Sequence, residues 1–200
     1  MTREFIEEAA GIYRLKVPFD DLYTSVFLVT AGGKNILVDC ATTKEDVVEY
    51  IVPALKSAGI EIGDIDTLVV THEHEDHAGG LPYILALAPQ ITVVTDVRHL
   101  AKGVSTYPLP GHERNFVGVL DERTRTLISG DGLQGAGVGK YRCYLADKAA
   151  YLNTLEGIGQ DERIESILFS HAHEPWYRDK VSSRTEVLDC VKKCYEYIER

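Results

Sequence analysis

Short, mostly apolar runs that read as extended alternate along the 200-residue chain with longer stretches whose apolar and polar residues read as helical. These runs predict strands over residues 12–17, 25–30 and 35–39, the last two joined by a hairpin turn at Gly32-Gly33. A helix is expected over 44–58, opened by a capping box of Thr42 with Glu45 and closed by Gly59. A strand over 67–70, a polar histidine-rich segment and a helix over 80–88 follow. The middle of the chain reads as strands, over 91–95, 104–108, 116–121 and 125–128. A helix over 147–156, a strand over 164–169 and a helix over 184–198, entered through Ser183 and Glu186, complete the pattern. Strands and helices interleaved in this way predict an α/β protein with sheet inside and helices outside. No linker or repeat breaks the chain, so residues 1–200 are expected to form one domain.

Composition narrows the function classes. Hydrophobic residues make up 44% and charged residues 26%, an ordinary balance for a soluble globular protein. A net charge of −10, with no basic cluster beyond Lys192-Lys193, argues against sequence-independent nucleic-acid binding, which needs Lys and Arg to neutralise phosphates. The apolar runs are too short to span a membrane, and the charged N-terminus lacks the apolar core of a signal peptide. A cytoplasmic protein acting on a small molecule is expected, its association with a second copy left open. Cys40, Cys143, Cys190 and Cys194 form no Cys-x-x-Cys motif and read as small core residues in a reducing compartment.

The segment Thr71-His-Glu-His-Glu-Asp-His-Ala-Gly-Gly80 changes the picture. His72, His74, Asp76 and His77 supply the imidazole nitrogens and carboxylate oxygens that zinc and iron prefer. In an extended segment His72, His74 and Asp76 share a face and His77 points elsewhere, which suits a pair of neighbouring ions. Three further donors fall where strands are expected to end: His112 in Leu109-Pro-Gly-His-Glu113, Asp131 in Ile128-Ser-Gly-Asp-Gly132, and His171 in Phe169-Ser-His-Ala-His173.

Taken with Asp39 in Ile-Leu-Val-Asp, these motifs stand in the order found in the metallo-β-lactamase superfamily, which the chain resembles along nearly its full length. The resemblance implies a compact version of that family's αββα four-layer sandwich. It assigns His72, His74 and His112 to one ion and Asp76, His77 and His171 to a second, with Asp131 bridging and Asp39 supporting the metal loop. It implies a metal-dependent hydrolase whose bridging hydroxide cleaves an ester-type bond in a lactone, thioester or phosphodiester. Asp76 and Asp131 carry the chemistry, with two divalent ions as cofactors. Zinc is the expected metal. Iron is the alternative, because iron-dependent relatives with a similar ligand set oxidise sulfur compounds such as persulfides. A non-catalytic metal-binding module is the third reading.

The pattern departs from most relatives in two places. The spacing from His77 to His112 is short, and His112 is followed by Glu-Arg-Asn in place of the usual turn. With a short stretch after His171, the helical region of glyoxalase II-type enzymes is expected to be absent or rudimentary. Glycine-rich 130–139 reads as a flap, after which Lys140 or Arg142 would hold an anionic group and Tyr141 or Tyr144 would donate to an oxyanion. His173 is a rival to His171 as a ligand.

Overall fold

Gly32 and Gly33 have φ of 56° and 76°, the two positive values that a type I′ turn demands. They join β3 (Leu22–Ala31) to β4 (Lys34–Val38) in the register Ala31↔Lys34, at the hairpin turn expected there. The computed structural model describes residues 3–133, 144–172 and 178–198. The chain divides into two units: residues up to Thr95 with His99–Lys102, and Asp96–Arg98 with the chain from Gly103 onward.

The first unit is built on a mixed sheet in the order β1-β2-β3-β4-β5-β6. β1 (Ile6–Ala9), β2 (Ile12–Phe19), β3 and β4 run antiparallel as a meander. β5 (Thr67–Val69) and β6 (Thr92–Val94) then add in parallel, each after a helical crossover. Leu15, Val26, Leu28, Leu37 and Leu68 from one sheet face meet Val47, Ile51 and Leu55 from the first crossover in a core with almost no exposure. Burying a side chain of this size stabilises the fold by about 1.5–3 kcal/mol.

The crossover itself corrects the expected helix. Its capping box uses Thr43 and Asp46 in place of Thr42 and Glu45: Asp46 N–H donates to Thr43 Oγ1 (3.1 Å) and Thr43 N–H to Asp46 Oδ2 (2.9 Å). α1 (Lys44–Asp46) and α2 (Val52–Ser57) are joined by a π-helical turn, Val47–Ile51. Pro53 explains the interruption, since its ring has no N–H and crowds the carbonyl four residues back, which the wider turn relieves. Gly59 closes the helix at φ 75°, as expected. The unit is completed by a 3₁₀ turn (Ile62–Asp64), α3 (Glu75–Ala78), α4 (Leu81–Leu87) and β7 (His99–Ala101).

The second unit holds β8 (Val104–Pro108), β9 (Val117–Asp121), β10 (Thr126–Gly130), β11 (Ser166–Phe169) and β12 (Lys180–Val181), in the order β12-β11-β10-β9-β8. Only β10 and β11 pair in parallel, across the crossover helix α5 (Lys148–Gln160). α6 (Arg184–Ile198) begins after Ser183, whose Oγ accepts the Glu186 N–H (3.3 Å). Tyr151, Leu155 and Ile158 of α5 pack with Val187, Cys190 and Cys194 of α6 against Leu120, Leu127 and Ile167 of the sheet. Two mixed sheets with helices meet the expected α/β class. Among the described residues no helix is long and apolar enough to cross a membrane.

Candidate metal centre

The histidine-rich motif begins where β5 ends, and a buried carboxylate holds it there. Asp39 follows β4, whose neighbour in the sheet is β5, and takes φ 62°, an uncommon value for a residue with a side chain. That turn directs its carboxylate at the next strand's exit. Oδ1 accepts the Thr71 N–H (2.8 Å), and Oδ2 pairs with the Thr71 hydroxyl (2.9 Å) and His77 Nδ1 (2.7 Å). Asp39, Thr71, His72 and His77 are each at most 2% exposed. The Thr71 hydroxyl also lies 3.0 Å from His72 Nδ1.

The backbone of the motif differs from the extended segment expected. His72 and His74 sit on the irregular run after β5, and His74 (φ −63°, ψ 146°) caps α3. Asp76 and His77 therefore belong to a helical turn, so His72, His74 and Asp76 do not share one strand face. The helix nonetheless brings the donors together. Rings of His72 and His74 have centroids 4.5 Å apart, those of His72 and His77 4.2 Å, and His77 Nε2 lies 3.1 Å from Asp76 Oδ2.

Two glycines and a cysteine press the motif onto the end of β4. A Cβ on Gly79 would strike the carbonyl oxygen of Thr42, and one on Gly80 that of Cys40. Gly80 N–H reaches the Ala41 carbonyl (3.0 Å), while the Cys40 N–H (2.9 Å) and thiol (3.1 Å) both donate to the His77 carbonyl. Burial, aided by the charge of Asp39, pushes the Cys40 thiol up and keeps it a protonated donor. Thr71, Cys40 and the close packing of Gly79 and Gly80 escaped the sequence reading, although each lies within or beside a quoted motif.

The second unit presents its donors singly. His112 stands in the turn after β8, which α5 and its lead-in grip through four hydrogen bonds. Thr154 Oγ1 donates to the Pro110 carbonyl (2.7 Å), Asp147 N–H to Gly111 (3.1 Å), Ala146 N–H to His112 (3.1 Å), and His112 Nδ1 to the Tyr144 carbonyl (2.8 Å). The last bond leaves the lone pair on Nε2. Gly111 has φ 139°, and a Cβ there would lie 2.5 Å from Tyr151 Cα. The turn also closes locally, Gly111 N–H donating to the Glu113 carbonyl (3.0 Å). Asp131 and His171 follow the parallel neighbours β10 and β11, whose pairing continues from Ser170 N–H to the Gly130 carbonyl (3.3 Å). Adjacent strand ends thus set His171 Nε2 3.2 Å from Asp131 Oδ1.

Tyr144, a residue 60% exposed, holds His112 through its backbone carbonyl, and its ring meets the His112 ring edge-on with centroids 6.3 Å apart. Lys140, Tyr141, Arg142 and His173 lie outside the described residues, as does most of the expected glycine-rich flap.

The donor chemistry of the first unit fits a metal ion. Asp39 takes the Nδ1 proton of His77, so His77 Nε2 and the Asp76 carboxylate oxygen face each other as two lone-pair atoms unless a positive charge joins them. A proton would serve, but adding one to each of three imidazoles packed this closely sets like charges against each other. A divalent cation satisfies all the donors with the imidazoles neutral.

Residues 19–102 match the model of the Metallo-beta-lactamase superfamily. A ribonuclease J of Mycolicibacterium smegmatis is 41% identical over 66 residues, which are 31% of this chain and 12% of that protein. A beta-lactamase-like protein 2 homolog of Caenorhabditis elegans is 29% identical over 205 aligned positions, covering 91% of this chain and 63% of the relative. The chain thus spans less than two thirds of either relative. Among solved structures, metallo-β-lactamase FIM-1 of Pseudomonas aeruginosa, in a mono-zinc form, matches with a TM-score of 0.73 at 16% identity, over 98% of this chain and 96% of that one. At that identity the likeness is one of fold, and it bears out the expected architecture.

Proposed function

We propose, from the match of residues 19–102 to the metallo-β-lactamase superfamily and from the donor set, that the chain is a metal-dependent hydrolase of ester-type bonds, its donors acting together in one dinuclear centre. His72, His74 and His112 would hold the first ion and Asp76, His77 and His171 the second, with Asp131 serving both. The observation that carries this reading is the hydrogen bonding of His77 and His112, each of which commits Nδ1 to an acceptor and leaves Nε2 for a metal. Zinc is the metal of choice, in keeping with the nitrogen-rich donor set.

When bound, two such cations supply a hydroxide nucleophile at neutral pH and a positive field for the charge that develops on the substrate oxygen. The protein's own part is orientation and proton handling. Asp131 would hold both ions, Asp76 would align the nucleophile and pass a proton to the leaving group, and Asp39 keeps His77 and the motif in place. Residues 1–200 act as one domain on a small-molecule lactone, thioester or phosphodiester.

The zinc-loaded protein assayed against one substrate of each type should turn over at least one of them. Asp131→Ala should abolish that turnover and loosen one ion, with an unchanged circular dichroism spectrum. Wild-type turnover by Asp131→Ala would sink the dinuclear mechanism. One iron per chain, with oxygen uptake on a persulfide, would replace hydrolysis by sulfur oxidation.

A further inference from the structure

We infer that Thr71 is a positioning residue for metal binding: its hydroxyl carries the hold of Asp39 across to His72, so that one buried carboxylate orients a ligand of each proposed ion. The inference rests on the ligand assignment proposed above. Its argument is a count of protons. A carboxylate only accepts hydrogen bonds, so the Thr71 hydroxyl, 2.9 Å from Asp39 Oδ2, spends its one proton there. The same oxygen lies 3.0 Å from His72 Nδ1 and can now only accept. His72 therefore carries its proton on Nδ1 and presents Nε2 as the lone-pair atom, the tautomer that Asp39 imposes directly on His77 at 2.7 Å.

The relay is dry, with Asp39 and Thr71 each 1% exposed, so no bulk water stands in for the hydroxyl if it is removed. The backbone leaves the side chain this single task. Thr71 N–H is held separately by Asp39 Oδ1 (2.8 Å), so the loop keeps its anchor when the hydroxyl is lost. Thr71 thus works on the tautomer and aim of His72 while the loop backbone stays fixed. Asp39, reaching both His72 and His77, links the two ion positions through one group.

The test is a zinc titration of the full-length protein in competition with a chromophoric chelator, for wild type, Thr71→Val and Thr71→Ser. Wild type should take up zinc in two steps. Thr71→Val keeps the shape and the backbone anchor, and should weaken one step by about 10- to 100-fold while sparing the other. Thr71→Ser restores the hydroxyl and should behave as wild type. Two unweakened steps in Thr71→Val would overturn the inference and leave the metal centre standing. No zinc uptake by wild type would overturn both. Should the valine variant fail to fold, a long-range proton–nitrogen correlation spectrum of zinc-loaded wild type decides: a proton on His72 Nδ1 supports the relay, and its absence refutes it.

Discussion

The two units brace their metal donors by different means. In the first, four donors crowd into six residues and buried side chains hold them: the Asp39 carboxylate, the Thr71 hydroxyl and the Cys40 thiol. In the second, three donors stand 19 or more residues apart in sequence, and main-chain groups do much of the holding. The Tyr144 carbonyl takes the His112 proton, α5 and its lead-in grip the turn, and the β10–β11 pairing sets Asp131 beside His171. A contiguous motif can borrow one neighbour to orient several ligands. Dispersed ligands must each be aimed by the element that carries them.

The largest effect should come from breaking the shared brace. Asp39→Ala leaves two Thr71 donors and His77 Nδ1 buried without their acceptor, a cost of about 1–3 kcal/mol for each group. Urea unfolding should show a loss of about 3 kcal/mol or more, and elemental analysis should find both ions weakened. In the second unit the comparable break needs a backbone change. Gly111→Ala drives a Cβ into the backbone of Tyr151, and should cost about 1–3 kcal/mol while disturbing only the ion bound to His112.

Asp147→Ala is a milder probe of the same grip. Asp147 Oδ1 caps α5 through the Ala150 N–H (2.9 Å), and its loss should cost about 1 kcal/mol in thermal unfolding. The smallest effect sharpens the contrast most. Tyr144→Ala removes a largely exposed ring, whose edge-on contact with His112 is long at 6.3 Å, and keeps the carbonyl, so stability should move by less than about 0.5 kcal/mol, with metal content unchanged. Loss of an ion in Tyr144→Ala would mean that the second unit, too, relies on side chains.

The same contrast explains what could be read from the chain. The motif from Thr71 to Gly80 names its donors outright, because they are adjacent in sequence. His112, Asp131 and His171 are unremarkable singly and gain meaning only beside the resemblance. The central strands were legible as short apolar, β-branched runs bounded by turn residues, although β9 and β10 are buried on both faces. β1, β7 and β12 were not, since two to four residues at a sheet margin are too few to show a period. The capping box slipped by one residue because Thr42–Glu45 and Thr43–Asp46 offer the same spacing. The motif's own backbone was misread for a related reason: His74 serves as a helix cap, a role that only its dihedral angles disclose. The hold of Tyr144 on His112 crosses 32 residues through a main-chain carbonyl, for which no side-chain pattern exists.

The measurement that bears most directly on the central claim is elemental analysis of protein purified without chelator, expressed as metals per chain. The account predicts two zinc ions in wild type and at most one firmly held in Asp131→Ala. Metal-free wild type that takes up no zinc on addition, or wild type holding a single iron, would contradict it.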